Sequence, residues 1–203
     1  HGGELANTIR AHSVYARREL VHDPRDTAAR LAPVLGVSAS WLAGRLSGES
    51  GFVYLRRQVS PSVGERVREL RLAGVGVEPE SRRVYGNVRL AAHVLGYVNV
   101  DGAGQRGVER TLQDELRGQE VRIAGARDAH ERLVWAEGLP RLDAGRGSDV
   151  VLTLDCHVQF VAEEVLERAV EAAGARAGVA VVLDAATSEV LALASHPTYN
   201  PNT

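Results

Sequence analysis

Val150-Val151-Leu152-Thr153-Leu154-Asp155 runs directly into Cys156 to Ala173, and this junction sets the reading of the whole chain. An apolar run that closes on an aspartate predicts a buried strand turning at once into a helix. Asp155 stands at the N-cap position, where its carboxylate can accept from the free backbone N–H groups of the first turn. Behind it Val158, Val161, Val165, Leu166, Ala169 and Ala172 return every three or four residues as one apolar stripe. Past Gly174 and Gly178, the runs Val179 to Leu183 and Glu189 to Ala194 read as strands of a hairpin, with Asp184-Ala185-Ala186-Thr187-Ser188 as its turn.

Toward the N-terminus the elements are shorter. Ser13 to Ala16 reads as a strand. Asp23-Pro24 opens a helix with an aspartate cap and proline at the first helical position. Its inner face is Ala28, Leu31, Ala32 and Leu35, and Gly36 stops it. A second helix spans Ser40 to Leu46 with Trp41 and Leu42 inward, and Phe52 to Arg57 alternates as a strand. Ser60-Pro61 starts a third helix that carries Val63, Val67, Leu70 and Ala73 inward and ends at Gly74. Val75, Val77 and Glu78-Pro79-Glu80 lead to Ser81-Arg82-Arg83-Val84-Tyr85. Asn87 caps a helix from Val88 to Leu95 that stops at Gly96, and a further helix spans Val108 to Leu116. Gln119 to Arg127 and His130 to Ala136 read as two strands of a hairpin, and the Gly-, Pro- and charge-rich stretch after it reads as a linker. Short strands alternating with short helices make the expected class α+β.

Composition narrows the chemistry. The 203 residues, 44% apolar and 25% charged with a net charge of -2, are those of a globular protein with no basic field for nucleic acid. All 24 basic residues are arginine, so no lysine is present to form a Schiff base or act as a general base. Cys156 is the only cysteine, so no internal disulfide can form. No apolar run is long enough to span a bilayer, no signal peptide is visible and no methionine is present, so the expectation is a piece of a longer protein.

Four sharper chemistries are weighed against plainer ones. Gly102-Ala103-Gly104-Gln105-Arg106-Gly107 fits G-x-G-x-x-G, which can seat a pyrophosphate on backbone N–H groups. Tyr97-Val98-Asn99-Val100 is too polar for the first buried strand of such a site, and no second buried parallel strand with a terminal acid follows. A dinucleotide-binding enzyme is therefore the lesser alternative, and a turn into a helix the preferred reading. The histidines share no ligand spacing, so no metal is expected, and His93 reads as a core or hydrogen-bonded residue. Ser195 and His196 are strand neighbours pointing to opposite faces, which excludes a nucleophile–base pair, and Cys156 reads as structural. Arg66, Arg68 and Arg71 with Glu65 and Glu69, and Arg82-Arg83 with Glu78 and Glu80, read as solvated mixed charge. No catalytic, cofactor or metal residue is assigned.

Two clusters carry a family resemblance. One is Leu152-Thr153-Leu154-Asp155 with Gln159, then Val181-Val182-Leu183-Asp184, Glu189-Val190-Leu191-Ala192 and Ser195-His196-Pro197-Thr198-Tyr199-Asn200-Pro201-Asn202. The other is Arg83-Val84-Tyr85, Leu90 to Val98 with Gly96, and Gly104-Gln105-Arg106-Gly107-Val108-Glu109. Together they resemble class B penicillin-binding proteins, and Gly2-Gly3-Glu4-Leu5-Ala6 is similar to the tail of a further family segment. Gly86 stands where the family usually has proline.

The resemblance implies a pedestal or dimerisation domain over residues 1–140, a linker over 141–149 and the opening elements of a transpeptidase domain over 150–203. It implies structural roles for Arg83, Tyr85, Gly96, Gly104, Gly107, Glu109, Thr153, Asp155, Gln159 and Asp184, with Arg83 and Glu109 tying the pedestal together. The parent would be a membrane-anchored, extracytoplasmic serine D,D-transpeptidase that cross-links peptidoglycan stem peptides and is acylated by β-lactams, with cell-wall or division proteins as partners. Its Ser-x-x-Lys and Lys-Thr-Gly motifs cannot lie in a chain without lysine. A stand-alone adaptor with the same pedestal and no catalysis is the main alternative. The apolar faces over 150–203 also predict self-association through that segment.

Overall fold

The computed structural model describes residues 3–48, 51–118, 126–127, 133–134 and 147–203. In chain order they form β1 (Ala6–Arg17), a 3-10 turn (Arg18–Leu20), α1 (Pro24–Leu35), α2 (Ala39–Leu46), β2 (Phe52–Val59), α3 (Pro61–Glu69) and β3 (Val75–Tyr85). There follow α4 (Ala92–Leu95), α5 (Gly107–Thr111), α6 (Gln113–Arg117), β4 (Ala126–Arg127), β5 (Leu133–Val134), α7 (Cys156–Ala172), β6 (Gly178–Leu183) and β7 (Val190–His196). Every strand pair is antiparallel, in sheets ordered β2-β1-β3, β4-β5 and β6-β7. The class is α+β.

The first three helices start where the side chains can satisfy their free N–H groups. Asp23 accepts from Arg25 and Asp26 N–H, Ser38 from Trp41 N–H and Ser60 from Val63 N–H, with Pro24 and Pro61 at the first turns. Gly36 closes α1 at φ 63°, a left-handed conformation that a residue without Cβ adopts cheaply. Leu31, Leu35, Leu42, Leu46 and Val67 then meet Val14, Ala16, Val53 and Leu55 of the sheet in one core. Each such buried leucine contributes about 2 kcal/mol by area.

Several expectations change in the structure. The strand expected at Ser13 to Ala16 is twelve residues long and central. Glu78-Pro79-Glu80 is no connector but the middle of β3, which pairs with β1 from Ala6↔Tyr85 to Ala16↔Val75. Pro79 is tolerated because β3 is an edge strand, where its missing N–H is not needed. Trp41 is exposed, with the Arg45 guanidinium over its ring at 5.4 Å, so only Leu42 points inward. The third helix ends at Glu69, since Arg71 enters the left-handed region at φ 46°, and Ala73-Gly74 lead into β3. Leu112 breaks the helix expected over Val108 to Leu116 into α5 and α6.

The helix expected from Val88 shrinks to the four residues of α4. Ala91 is left-handed at φ 54°, and its N–H is held by the Glu163 carboxylate, 2.8 Å away on α7. A contact from a distant element overrides local helix propensity there. The hairpin expected over 119–136 is represented by the pairs Ala126↔Val134 and Arg127↔Leu133. The rest of it, and most of the proposed linker, lie outside the described residues.

Val150 to Asp155 is extended chain, not a strand. Val151 is 93% exposed, and the segment hydrogen-bonds to β7 through Asp155 N–H to Leu191 C=O and the Thr153 hydroxyl to Val190 C=O. A run of valine and leucine reads alike whether it pairs in a sheet or lies across an apolar cluster. Leu152 and Leu154 do the latter, packing with Tyr85, Ala91 and Leu95. The stripe on α7 also moves. Gln159 and Val170 are the buried positions, with Leu166 and Val170 crowding Gly178, while Val161 and Val165 face solvent. The hairpin presents Ala192 and Ala194 as fully buried and leaves Val179, Val181 and Leu183 exposed.

Candidate functional site

Most residues singled out by sequence lie near the end of the β2-β1-β3 sheet, where the N-terminal elements meet residues 150–203, whereas Asp184 stands apart in the β6–β7 turn. Arg83 lies on β3, and its Nε donates to Glu109 Oε1 at 2.8 Å while Nη1 donates to Thr8 Oγ1 at 3.1 Å. The pair is withdrawn from water, with the Glu109 side chain only 6% exposed and that of Arg83 19%. It fastens β1 and β3 to α5. Two residues on, the Tyr85 hydroxyl accepts from Val98 N–H at 3.1 Å. Burial, then the Glu109 charge, pushes this phenol far above its ordinary range, so it stays neutral and serves as a fixed polar post.

The glycines close the same joint by proximity. A Cβ on Gly96, whose φ is 75°, would stand 1.8 Å from Arg106 O, and one on Gly104 would stand 2.0 Å from Glu109 O. Gly107, at φ 57°, approaches Val94 O in the same way, at 2.3 Å. Only residues without a side chain let these backbones meet. The N–H groups that a pyrophosphate would need are engaged internally: Ala103 N–H donates to Asn99 Oδ1 and Gly104 N–H to Gln113 Oε1. The glycine motif therefore packs a turn against α5.

On the far side of the joint, Asp155 accepts from His157 N–H at 2.9 Å and Val158 N–H at 3.0 Å, capping α7. One turn on, Gln159 is 1% exposed, and its amide completes the ladder of β7 as a strand would. Nε2 donates to Leu193 C=O at 2.9 Å and Oε1 accepts from Leu193 N–H at 2.7 Å, while Nε2 also reaches Glu163 Oε1 at 2.6 Å. Asp184 stabilises the hairpin turn by accepting from Ala186 and Thr187 N–H. Thr153 anchors the incoming chain on Val190 C=O.

Hydrogen bonds from backbone N–H groups hold both aspartates below the usual carboxylate range, chiefly Val158 N–H for Asp155 and Thr187 N–H for Asp184. A depressed carboxyl contributes stability above its unfolded value, near pH 4, and loses it as pH falls through the lower folded value. The gap in melting temperature between the parent chain and Asp155→Ala or Asp184→Ala should be widest near neutral pH and close toward pH 2. A gap constant over that window in thermal melts would contradict the capping roles.

The contacts that join the two parts most directly leave no local signature, although His93 is hydrogen-bonded as the sequence reading expects. The Asn202 amide grips both polar groups of Tyr85, accepting from its N–H at 3.0 Å and donating to its C=O at 3.1 Å. Tyr199 donates from its hydroxyl to Ala92 C=O at 2.8 Å, His93 Nε2 meets Pro197 C=O at 2.9 Å, and Glu163 receives Ala91 N–H. Four contacts thus cross from residues 150–203 to the N-terminal part, each pairing a side chain with backbone. Such a joint fixes orientation because each bond is directional, and all but the exposed His93–Pro197 bond are half-shielded from water. Asn202 falls in a quoted motif, but its partner lies more than a hundred positions away and leaves no local signal.

Among the described residues no helix is long and apolar enough to cross a membrane, and no three His, Cys, Asp or Glu side chains stand together as metal ligands. The geometry is that of a structural joint.

Comparison with known proteins gives a consistent picture. Residues 1–152 match the family model described as Penicillin-binding Protein dimerisation domain. The whole chain is 36% identical to a Neisseria meningitidis protein named "Probable peptidoglycan D,D-transpeptidase PenA", of which it covers 36%. It is 32% identical over 99% of its length to Escherichia coli "Peptidoglycan D,D-transpeptidase FtsI", covering 35% of that protein. The chain therefore spans about a third of the length of these curated relatives. All of it superposes on penicillin-binding protein 2X of Streptococcus thermophilus with TM-score 0.64 at 22% identity, covering 34% of that chain. It also superposes on a peptidoglycan synthetase from Bifidobacterium adolescentis with TM-score 0.57 at 27% identity, covering 42%. With the family match over most of its length and a fold of the same kind, the chain belongs to the class B penicillin-binding proteins and carries their dimerisation domain.

Proposed function

We propose that residues 1–140 form a non-catalytic pedestal, that 141–149 link it onward, and that 150–203 are the opening elements of a transpeptidase domain held in position by the pedestal. The parent is then a longer D,D-transpeptidase that cross-links peptidoglycan outside the cytoplasmic membrane, to which it is anchored. The observation that carries this reading is the joint itself. Asn202, Tyr199, His93 and Glu163 orient the α7–hairpin unit on the sheet end through side chain–backbone bonds, as a support for another domain requires. Acyl transfer by a serine needs a proton acceptor beside it and N–H donors for the oxyanion. The family's lysine-bearing motifs have no counterpart in a sequence without lysine, so the chemistry falls to another part of the parent.

A labelled penicillin tests this. The parent protein should be acylated covalently and the 203-residue chain should not; labelling of the short chain would overturn the assignment. Asn202→Ala should cost about 1–2 kcal/mol in urea unfolding of the chain, the net value of two shielded hydrogen bonds. In the parent it should slow acylation about tenfold by loosening the joint. The outer face formed by Val179, Val181 and Leu183, with Phe160, Val161 and Val165 of α7 also exposed, supports self-association through 150–203. A light-scattering mass that stays monomeric at high concentration would count against that.

A further inference from the structure

A cleft of about 930 Å³ opens beside the joint, walled by Tyr97 and Tyr199 and edged by His93, Asn200, Arg106 and Arg110. The two tyrosine rings meet edge to face with centroids 6.0 Å apart, and His93 packs against Tyr199 in the same way at 5.0 Å. The Tyr199 hydroxyl and His93 Nε2 are engaged with backbone carbonyls, which fixes these rings as a wall. Arg106 lies near enough to Tyr199 for its charge to offset part of the burial that pushes this phenol up.

Arg106 and Arg110 are one helical turn apart and exposed. Three other arginines are engaged with carboxylates within the protein: Arg57 with Glu80 and Asp101, Arg68 with Glu65 and Arg83 with Glu109. Among the described residues Arg106 and Arg110 make no ion pair with an Asp or Glu side chain, and no such side chain lines the cleft, whose rim Thr203 completes. Glu109, the acid of the same helix, is turned away and consumed by Arg83. A cleft with two uncompensated guanidiniums over a rigid aromatic wall is complementary to carboxylates on a short chain. Guanidinium binds carboxylate in a fork, and tyrosine faces accept the intervening apolar atoms.

We propose that this cleft docks an acidic peptide segment of a partner protein, with two carboxylates on Arg106 and Arg110 and the segment lying against Tyr97 and Tyr199. Exposed ion pairs are individually weak, so the affinity is modest and salt-dependent, and charge reversal adds repulsion to the lost attraction.

The test is fluorescence anisotropy of the chain with fluorescein-labelled Ala-Glu-Gly-Glu-Ala at low ionic strength. Arg106→Glu/Arg110→Glu should weaken binding by about tenfold or more, and the Gln-containing twin peptide should bind wild type as weakly. Arg25→Glu/Arg66→Glu changes net charge by the same amount on surfaces away from the cleft, and should leave affinity within about twofold. Circular dichroism checks folding of each variant, and the milder Thr111→Glu, at an exposed cleft position, should weaken binding if the double variant does not fold. Equal losses in both double variants, or equal binding of the Glu and Gln peptides, would overturn the proposal. So would displacement by inorganic phosphate or by a γ-D-glutamyl cell-wall peptide as potent as by the unlabelled acidic peptide. If the parent protein does not bind while the 203-residue chain does, the cleft is filled from within and the proposal fails.

Discussion

Arg83→Met lowers the unfolding free energy by about 3–5 kcal/mol, as expected when one member of a buried ion pair is removed. The Glu109 side chain is 6% exposed, and in the variant its charge would stand in that shielded position without the guanidinium that offsets desolvation. Methionine keeps most of the aliphatic stem, so the loss reports the charge and its two hydrogen bonds, not packing. Arg83→Met/Glu109→Leu should recover half or more of the loss, because two apolar residues leave no orphan charge. Urea denaturation followed by circular dichroism measures both. A single-variant loss under about 1 kcal/mol would place the pair among ordinary surface salt bridges.

Gln159→Leu is expected to cost about 2–4 kcal/mol, although the replacement is apolar, close in size and well suited to helices. The Leu193 N–H and C=O both depend on the Gln159 amide, and a leucine would bury these backbone groups without partners. Gln159→Glu separates the two bonds: the introduced carboxylate can still accept from Leu193 N–H but cannot donate to Leu193 C=O, and it faces Glu163. This variant should be destabilised more at pH 7 than at pH 4, where the introduced carboxyl, once protonated, can donate. Stability independent of the residue at position 159 would show that the hairpin holds its geometry without α7.

How legible the sequence was depended on how local each cause is. The capped starts at Asp23, Ser60 and Asp155 and the turn at Asp184 rest on side chains bonding amides two or three residues away, and all are where the sequence puts them. What failed was set at a distance. Ala91 is pulled into a left-handed conformation by Glu163, and Val150 to Asp155 lies on a cluster built by Tyr85, Ala91 and Leu95. The buried face of α7 follows Gln159, a polar residue that an apolar-stripe argument places on the wrong side. At the joint, the motifs name Arg83, Tyr85 and Glu109, but the grip of Asn202 on Tyr85 is a pairing that no periodicity reveals.

The position of β1 also bears on how such a chain is made. It precedes both strands it pairs with, yet it is the centre of their sheet, and Ala6 finds Tyr85 only about eighty residues later. At ribosomal speeds of about 5–20 residues per second, its full partner edge arrives roughly 4–16 s afterwards. Meanwhile β2 covers only His12 to Arg17, so Ala6 to Ala11, with Ile9 among them, belong to an unpaired template, the kind of segment that holdase chaperones shield and that nucleates misassembly. Slow, high-contact-order closure is thus written into the topology, and pulse proteolysis during refolding should find residues 6–11 cleavable until β3 has paired.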